Sequence, residues 1–345
     1  MARLTALLIT GRLSLFIKIK HNVLPCGLIL LFLHPRRSCN KTATHNTMKD
    51  HDTEYTLNIG GKLLSLKKPL VMGILNCTPD SFYQGSRKQG EMEIATRTNQ
   101  IIEEGGKIID VGAFSTRPGA AQVSEEEEMR RMRLALEIVR IQQAEAVVSI
   151  DTFRHDVAKM AVEEFGAGII NDVSGGNPEG AFGSEKSETT VADFCTPADG
   201  TQENDCAPVL DKEWHGSVPY ILMSSCGNLE DTMKFFAMRI RQLRACGQRD
   251  IILDPGFGFG KTMEQNFDTL RRMDLLGEFG LPVLAGLSRK TMIWRTLGHT
   301  PDEALNGTTV LNTVALMKGA AILRVHDVKE AVEAVRLTEN LTTEN

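Results

Sequence analysis

Eight short runs rich in Val, Ile and Leu recur along the chain, at residues 70–76, 107–112, 146–152, 168–173, 218–225, 250–256, 281–288 and 320–327. They are nearly continuous rather than alternating, which is the pattern of strands buried on both faces of a parallel sheet. Helical patterns lie between most of them. One covers residues 124–143 and opens on Ser124-x-x-Glu127, a capping-box spacing with acids stacked in the first turn. Another covers 229–246 and is closed by Gly247. Eight strands, each followed by a helix, predict a single α/β domain of the (β/α)8 TIM-barrel type. A doubly wound open sheet is the competing arrangement.

The chain of 345 residues, 42% hydrophobic and 24% charged, can bury a core of that size and is not mainly disordered. Its net charge of −5 offers no basic surface for nucleic acid. The charge is uneven. Residues 1–49 hold no acid, and removing residues 1–47 with their seven basic side chains leaves −12. This basic, apolar leader stands apart from the fold expected over 48–345. Its two apolar runs fall short of the roughly 18–20 residues needed to cross a bilayer. Three readings stay open: a transit peptide, a secretory signal, and sequence upstream of a true start at Met48, which we favour. Seven cysteines, with no Cys-x-x-Cys pair and no zinc spacing, read as free or buried thiols in a reducing compartment. That predicts a cytoplasmic protein, or an organellar one if the leader is a transit peptide. Residues 177–217 carry nine acids, two lysines and no helical stripe, and read as an irregular insertion after the fourth strand.

In a barrel of this kind the working face is the C-terminal end of the strands. The last polar residues of the eight runs are Asn76, Asp110, Asp151, Asn171, Ser224, Asp254, Ser288 and the pair Arg324/His326. Carboxylates and amides in such number suit a flat heterocycle with donors and acceptors on its edge. Lys290 follows Ser288 and Arg289 where a helix begins, a seat for a carboxylate or phosphate. Arg324 and His326 share a strand face and could hold a pyrophosphate, although an ion pair with a strand-end carboxylate is the ordinary alternative for Arg324. The segment Asp254-Pro-Gly-Phe-Gly-Phe-Gly260-Lys261 lacks the order of a nucleotide phosphate loop and reads as a tight turn.

Taken in order, these segments resemble the dihydropteroate synthase family. The resemblance rests on Met72-Gly-Ile-Leu-Asn-Cys-Thr-Pro-Asp-Ser-Phe82, Asp110-Val-Gly-Ala-Phe-Ser-Thr-Arg-Pro-Gly-Ala120 and Ser149-Ile-Asp-Thr152. It continues in Ile169-Ile-Asn-Asp-Val-Ser174, Leu253-Asp-Pro-Gly-Phe-Gly-Phe-Gly-Lys261, Ser288-Arg-Lys290 and Arg324-Val-His-Asp327. It implies condensation of dihydropterin-methyl diphosphate with 4-aminobenzoate to give dihydropteroate and pyrophosphate. It also implies Mg²⁺, held with help from Asn76, and a homodimer. By the same resemblance Asp151, Asn171, Asp254 and Lys290 grip the pterin, with Met223 in the substrate pocket. Thr116, Arg324 and His326 attend the diphosphate, and Arg117, Phe259 and Thr291 line the aminobenzoate pocket. Asp151, Asp254, Lys290 and Arg324 are the expected catalytic set. The chain departs from the family pattern at Gln84, where an acid is usual, and at Ser224, where a His is usual. Two other functions compete: a pterin-binding paralogue without turnover, and a pterin-dependent corrinoid methyltransferase.

Overall fold

The computed structural model describes residues 54–77, 87–114, 123–176 and 217–342, together with the backbone strands of an N-terminal segment. The chain divides into two units, Met1–Asp50 and His51–Asn345. The first contains three antiparallel strands, β1 (Arg3–Ile9), β2 (Arg12–Ile19) and β3 (Asn22–Pro25), in the order β1-β2-β3.

The second unit begins with a hairpin of β4 (Thr56–Ile59) and β5 (Lys62–Ser65). Its two-residue turn, Gly60-Gly61, has φ of 55° and 91°. Positive φ at both turn residues matches the right-handed twist of the flanking strands. Leu57 and Leu66 from this hairpin segment are buried against Ile108, Ile169, Ile221, Ile252, Leu284 and Ile322, which close the N-terminal end of the barrel.

Eight parallel strands form that barrel: β6 (Leu70–Asn76), β7 (Ile108–Gly112), β8 (Val147–Asp151), β9 (Ile169–Asp172), β10 (Tyr220–Met223), β11 (Ile251–Asp254), β12 (Val283–Ala285) and β13 (Ala320–Val325). Each pairs with its sequence neighbour, and β13 closes on β6, so the expected closed barrel is present and the open sheet is not. All eight apolar runs contain one strand.

Because strand side chains alternate, the residue two beyond each of several inward apolar residues is the next to face the barrel interior. Ile108 is followed by Asp110, Ile169 by Asn171, Ile221 by Met223, Ile252 by Asp254, Leu284 by Gly286 and Ile322 by Arg324. The barrel is therefore apolar at its N-terminal end and polar at its C-terminal end. The intervening residues, among them Ile109, Val111, Ile150, Ile170, Leu222, Leu253 and Leu323, face outward into a second core shared with the helices.

Helices follow the first three strands: α1 (Arg87–Glu103), α2 (Glu125–Gln142) and α3 (His155–Phe165). The connection expected as an insertion after β9 lies outside the described residues, apart from Ser217. After β10 comes α4 (Leu229–Ala245), and after β11 come α5 (Met263–Arg271) and a 3₁₀ segment, Met273–Phe279. Two helices, α6 (Thr291–Leu297) and α7 (Leu305–Met317), follow β12, and α8 (Val328–Thr342) follows β13. Ser124 caps α2 by accepting from the Glu127 amide. The reciprocal half of the expected capping box is not what Glu127 does: its carboxylate takes Arg130 and Arg131 instead. Among the described residues no helix is long and apolar enough to cross a membrane. Cys77 and Cys226 are free thiols, as expected. Cys246 corrects that expectation, being disulfide-bonded.

Candidate active site

At the C-terminal end of the barrel, Arg324 reaches inward from β13 between two carboxylates. Its Nε donates to Asp110 Oδ2 at 2.6 Å and its NH2 to Asp151 Oδ2 at 2.6 Å. Asn171 Nδ2 donates to the same Asp110 Oδ2 at 3.2 Å. One cation, two anions and an amide thus occupy the innermost layer, drawn from four strands. Asp110 is fully buried, so its charge is tolerated only with such partners. Burial pushes the Asp151 carboxyl up to about 7; Arg324 opposes this and Asp110 adds to it. Burial works against the charge on Arg324, but the neighbouring carboxylates outweigh it and hold the guanidinium above its usual range.

Asp254 ends β11 on the opposite side. Burial raises its carboxyl, countered by the Gly256 amide, which donates to Oδ1 at 2.7 Å, and then by Lys290 and Arg324. That amide belongs to the glycine turn. A Cβ on Gly256 would lie 2.0 Å from the Ser224 carbonyl, and one on Gly260 2.0 Å from that of Ser225. Both have φ near 60°, so the turn is as tight as expected and closed to larger residues. Beneath it Lys261 Nζ donates to the carbonyls of Ser224, Gly256 and Phe259 at 3.1–3.3 Å. Asn266 Oδ1 accepts from the Gly258 amide. The turn is thereby held from both sides, which fixes Phe257 and Phe259.

Lys290 Nζ stands 4.5 Å from the centre of the Phe259 ring, a cation–π contact. Its place is set by Arg289, whose φ of 53° is the one positive value at a non-glycine among the described residues. Arg289 is held there by a two-pronged pair with Asp327, at 3.0 and 2.8 Å, and by the carbonyls of Pro301 and Asp302. A strained residue held by so many partners is characteristic of a functional turn.

These groups line one cavity: Asp151, Asn171, Val173, Met223, Asp254, Phe257, Phe259, Gly286, Lys290 and Arg324. Seven of the residues singled out from the sequence therefore meet in one place. Val173, Phe257 and Gly286 were not singled out, although the two-residue periodicity places Gly286 after Leu284. Asn76 is exposed at the end of β6 and does not line the cavity; its Oδ1 and Asp151 Oδ2 each lie within 4 Å of the point that a Cβ on Gly112 would occupy. Thr291 is exposed at the start of α6 and does not line the cavity. His326 is half-buried, its amide donating to Ser288 Oγ, and it too is outside the cavity lining. Thr116, Arg117 and Gln84 fall outside the described residues.

Two strand-end residues correct the reading that every such group faces the site. The Ser224 hydroxyl faces outward, donating to Thr232 and accepting from the Cys226 amide. Ser288 links the ends of β12 and β13 through the His326 amide. Ser224 and Met223 lie on opposite strand faces, so Met223 is the one that reaches the cavity.

Comparison with known proteins agrees with this geometry. Residues 72–326 match the family model described as "Pterin binding enzyme". Dihydropteroate synthase of Escherichia coli (strain K12) is 37% identical over 285 residues, covering 81% of this chain and 94% of that one. The Bacillus subtilis (strain 168) dihydropteroate synthase is 33% identical over 301 residues, with 85% and 96% covered. Among solved structures, Xanthomonas albilineans dihydropteroate synthase with 4-aminobenzoic acid superposes with a TM-score of 0.70 at 32% identity, covering 85% of this chain and all of that one. A Yersinia pestis structure with a pterine-sulfa conjugate gives 0.65 at 32% identity, with 83% and 99% covered. With most of its length matched and its polar barrel mouth in the matched region, this chain belongs to the pterin binding enzymes, among the dihydropteroate synthases.

Proposed function

We propose that this site joins (7,8-dihydropterin-6-yl)methyl diphosphate to 4-aminobenzoate, forming dihydropteroate for folate biosynthesis and releasing pyrophosphate. The observation that carries the reading is the cavity itself, where two carboxylates, an amide, a lysine and an arginine converge among Met223, Phe257 and Phe259. The amino and ring N–H groups of a pterin suit Asp151 and Asp254 as acceptors, and its carbonyl suits Lys290 and Asn171 as donors. Phe259 and Met223 supply apolar contact to flat rings.

In the reaction the C–O bond to the diphosphate breaks, the arylamine nitrogen bonds to the freed methylene carbon, and the nitrogen gives up a proton to solvent. Positive charge that develops on the pterin is stabilised by the barrel carboxylates, which are largely buried and held in place by Arg324 and the Gly256 amide. Negative charge on the departing diphosphate falls to cations, and Arg324 and His326, with Thr116, are the residues we assign to it. For Arg324 this entails sharing a guanidinium already engaged with Asp110 and Asp151. Arg117, Phe259 and Thr291 are assigned to 4-aminobenzoate.

No group of three or more His, Cys, Asp or Glu among the described residues could hold a metal ion. A lone exposed amide at Asn76 fits Mg²⁺ in the form it commonly takes, retaining water and bound mainly through phosphate oxygens. Held there with Asn76 as its protein ligand, Mg²⁺ would neutralise the leaving group. A homodimer is part of the same proposal.

The test is pyrophosphate release by the purified chain supplied with the pterin diphosphate, Mg²⁺ and 4-aminobenzoate. Release should depend on 4-aminobenzoate, and Asp254→Asn should lower kcat/KM on the order of 100-fold, as loss of a preorganised electrostatic partner does. Tight pterin binding with no release would overturn the reading.

A further inference from the structure

We propose that Tyr220, which does not line the cavity, is a positioning residue for the pterin, because its hydroxyl holds Asp172 and Asp172 holds the turn that aims Asn171 and Val173 into the site. The inference rests on the function proposed above. Asn171 and Val173 both line the cavity, and Asp172 between them points the other way, into the shell shared with the helices. There Asp172, 1% exposed, joins three donors. Its Oδ1 accepts from the Ser174 amide at 2.7 Å. Its Oδ2 accepts from the Gly176 amide at 3.0 Å and from the Tyr220 hydroxyl at 2.6 Å. Tyr220 is fully buried on β10, where it pairs with Ile170, so its ring reaches along the strand to meet Asp172. One carboxylate thus ties the last residue of β9 to the turn that follows it and to the neighbouring strand.

The turn is closely seated. Gly175 and Gly176 have φ of 63° and 82°. A Cβ on Gly175 would lie 2.5 Å from the Met223 carbonyl and 2.9 Å from the Phe235 ring, so the turn packs on the end of β10 with α4 beside it. Met223 is itself a cavity residue. Arg239 of α4 donates through NH2 to the Gly176 carbonyl at 3.4 Å, so the amide and the carbonyl of Gly176 are both engaged. The cost of the arrangement points the same way. Ile170, Leu222 and Leu253 share this outer face, and a buried carboxylate and phenol among them cost more than an apolar pair would. A satisfied polar network of this kind stiffens what it joins, and what it joins is one wall of the cavity.

Tyr220→Phe keeps the buried ring and removes only the hydroxyl. In the full chain it should weaken binding of the pterin diphosphate about tenfold by calorimetry. The KM for that substrate should rise by a similar factor, with kcat at saturation within about twofold of the wild type. Asp172→Asn is a second route to the same turn. With one acceptor oxygen in place of two it cannot hold both turn amides, although it can still pair with Tyr220. It should weaken the same binding, and it decides the matter if the phenylalanine variant does not fold. Val139→Ala, buried on α2 and outside the cavity lining, is the control. It should lower the melting temperature and leave pterin affinity unchanged. Unchanged affinity in the folded Tyr220 and Asp172 variants overturns the proposal, as does an equal loss in the control. The wild-type chain is assayed alongside. If it releases no pyrophosphate, the function proposed above fails and Tyr220 loses its role with it; if it turns over while the variants match it, only the role of Tyr220 fails.

Discussion

Asp110, Asp151 and Arg324 form a cluster whose charge balance is set by burial, and the proton on Asp151 reports it. An aspartate that titrates near 3.8 when unfolded and about 7 when folded binds more protons in the native state through the interval between. Its contribution to stability is present below the unfolded value and is lost as pH rises through the folded one. We therefore expect the urea midpoint to fall between about pH 5 and pH 8, and to fall less steeply in Asp151→Asn. A slope unchanged by the substitution would contradict this. Asp172, Asp254 and Glu128 are also pushed up by burial, so some slope will remain in the variant. At this scale the sequence was a partial guide. The near-continuous runs of a buried strand carry no hydropathic alternation, so the face a polar residue occupies cannot be read from its neighbours. Asn171 and Asp172 are adjacent, yet the first faces the cavity while the second accepts from the Tyr220 hydroxyl on the outer side. Ser224 was misread for the same reason.

Among the elements, the turn from Asp254 to Lys261 is the most exacting. Gly256→Ala would need a positive φ at a residue with a Cβ and would drive that Cβ onto the Ser224 carbonyl. We expect a loss of about 3 kcal/mol by chemical denaturation, from backbone strain and overpacking together. Gly277→Ala, in the 3₁₀ segment with nothing within 4 Å of the added carbon, is the matched control. It should be neutral or gain roughly 0.5 kcal/mol through the unfolded chain. Equal losses at the two sites would refute the steric account. Strands and helices were largely legible from the sequence because their signals are local: Ser124 and Asn228 cap α2 and α4 through the Glu127 and Asp231 amides. The closing hairpin β4–β5 was not anticipated, although its Gly60-Gly61 turn is written in the sequence. Its reason for existing, an open apolar barrel end, is a property of the assembled sheet.

At the scale of the molecule, the boundary between Asp50 and His51 separates a small antiparallel sheet from the barrel that holds every described site residue. A chain beginning at Met48 is therefore expected to keep its melting temperature and its pyrophosphate release. A calorimetric scan and the same assay check this, and loss of either would tie the first unit to the barrel. The barrel was foreseen because eight runs of one kind leave few other ways to bury them. Its closure also has a consequence for synthesis. β6, the first barrel strand to emerge from a ribosome, is hydrogen-bonded to β13, the last. Until residues 320–325 have been made, one edge of β6 has no partner, and an exposed edge invites pairing with another chain. Ribosome stalling before that point would thus leave the other strands gathered beside an open edge, the most adhesive form of the nascent chain and the one a chaperone has most to protect.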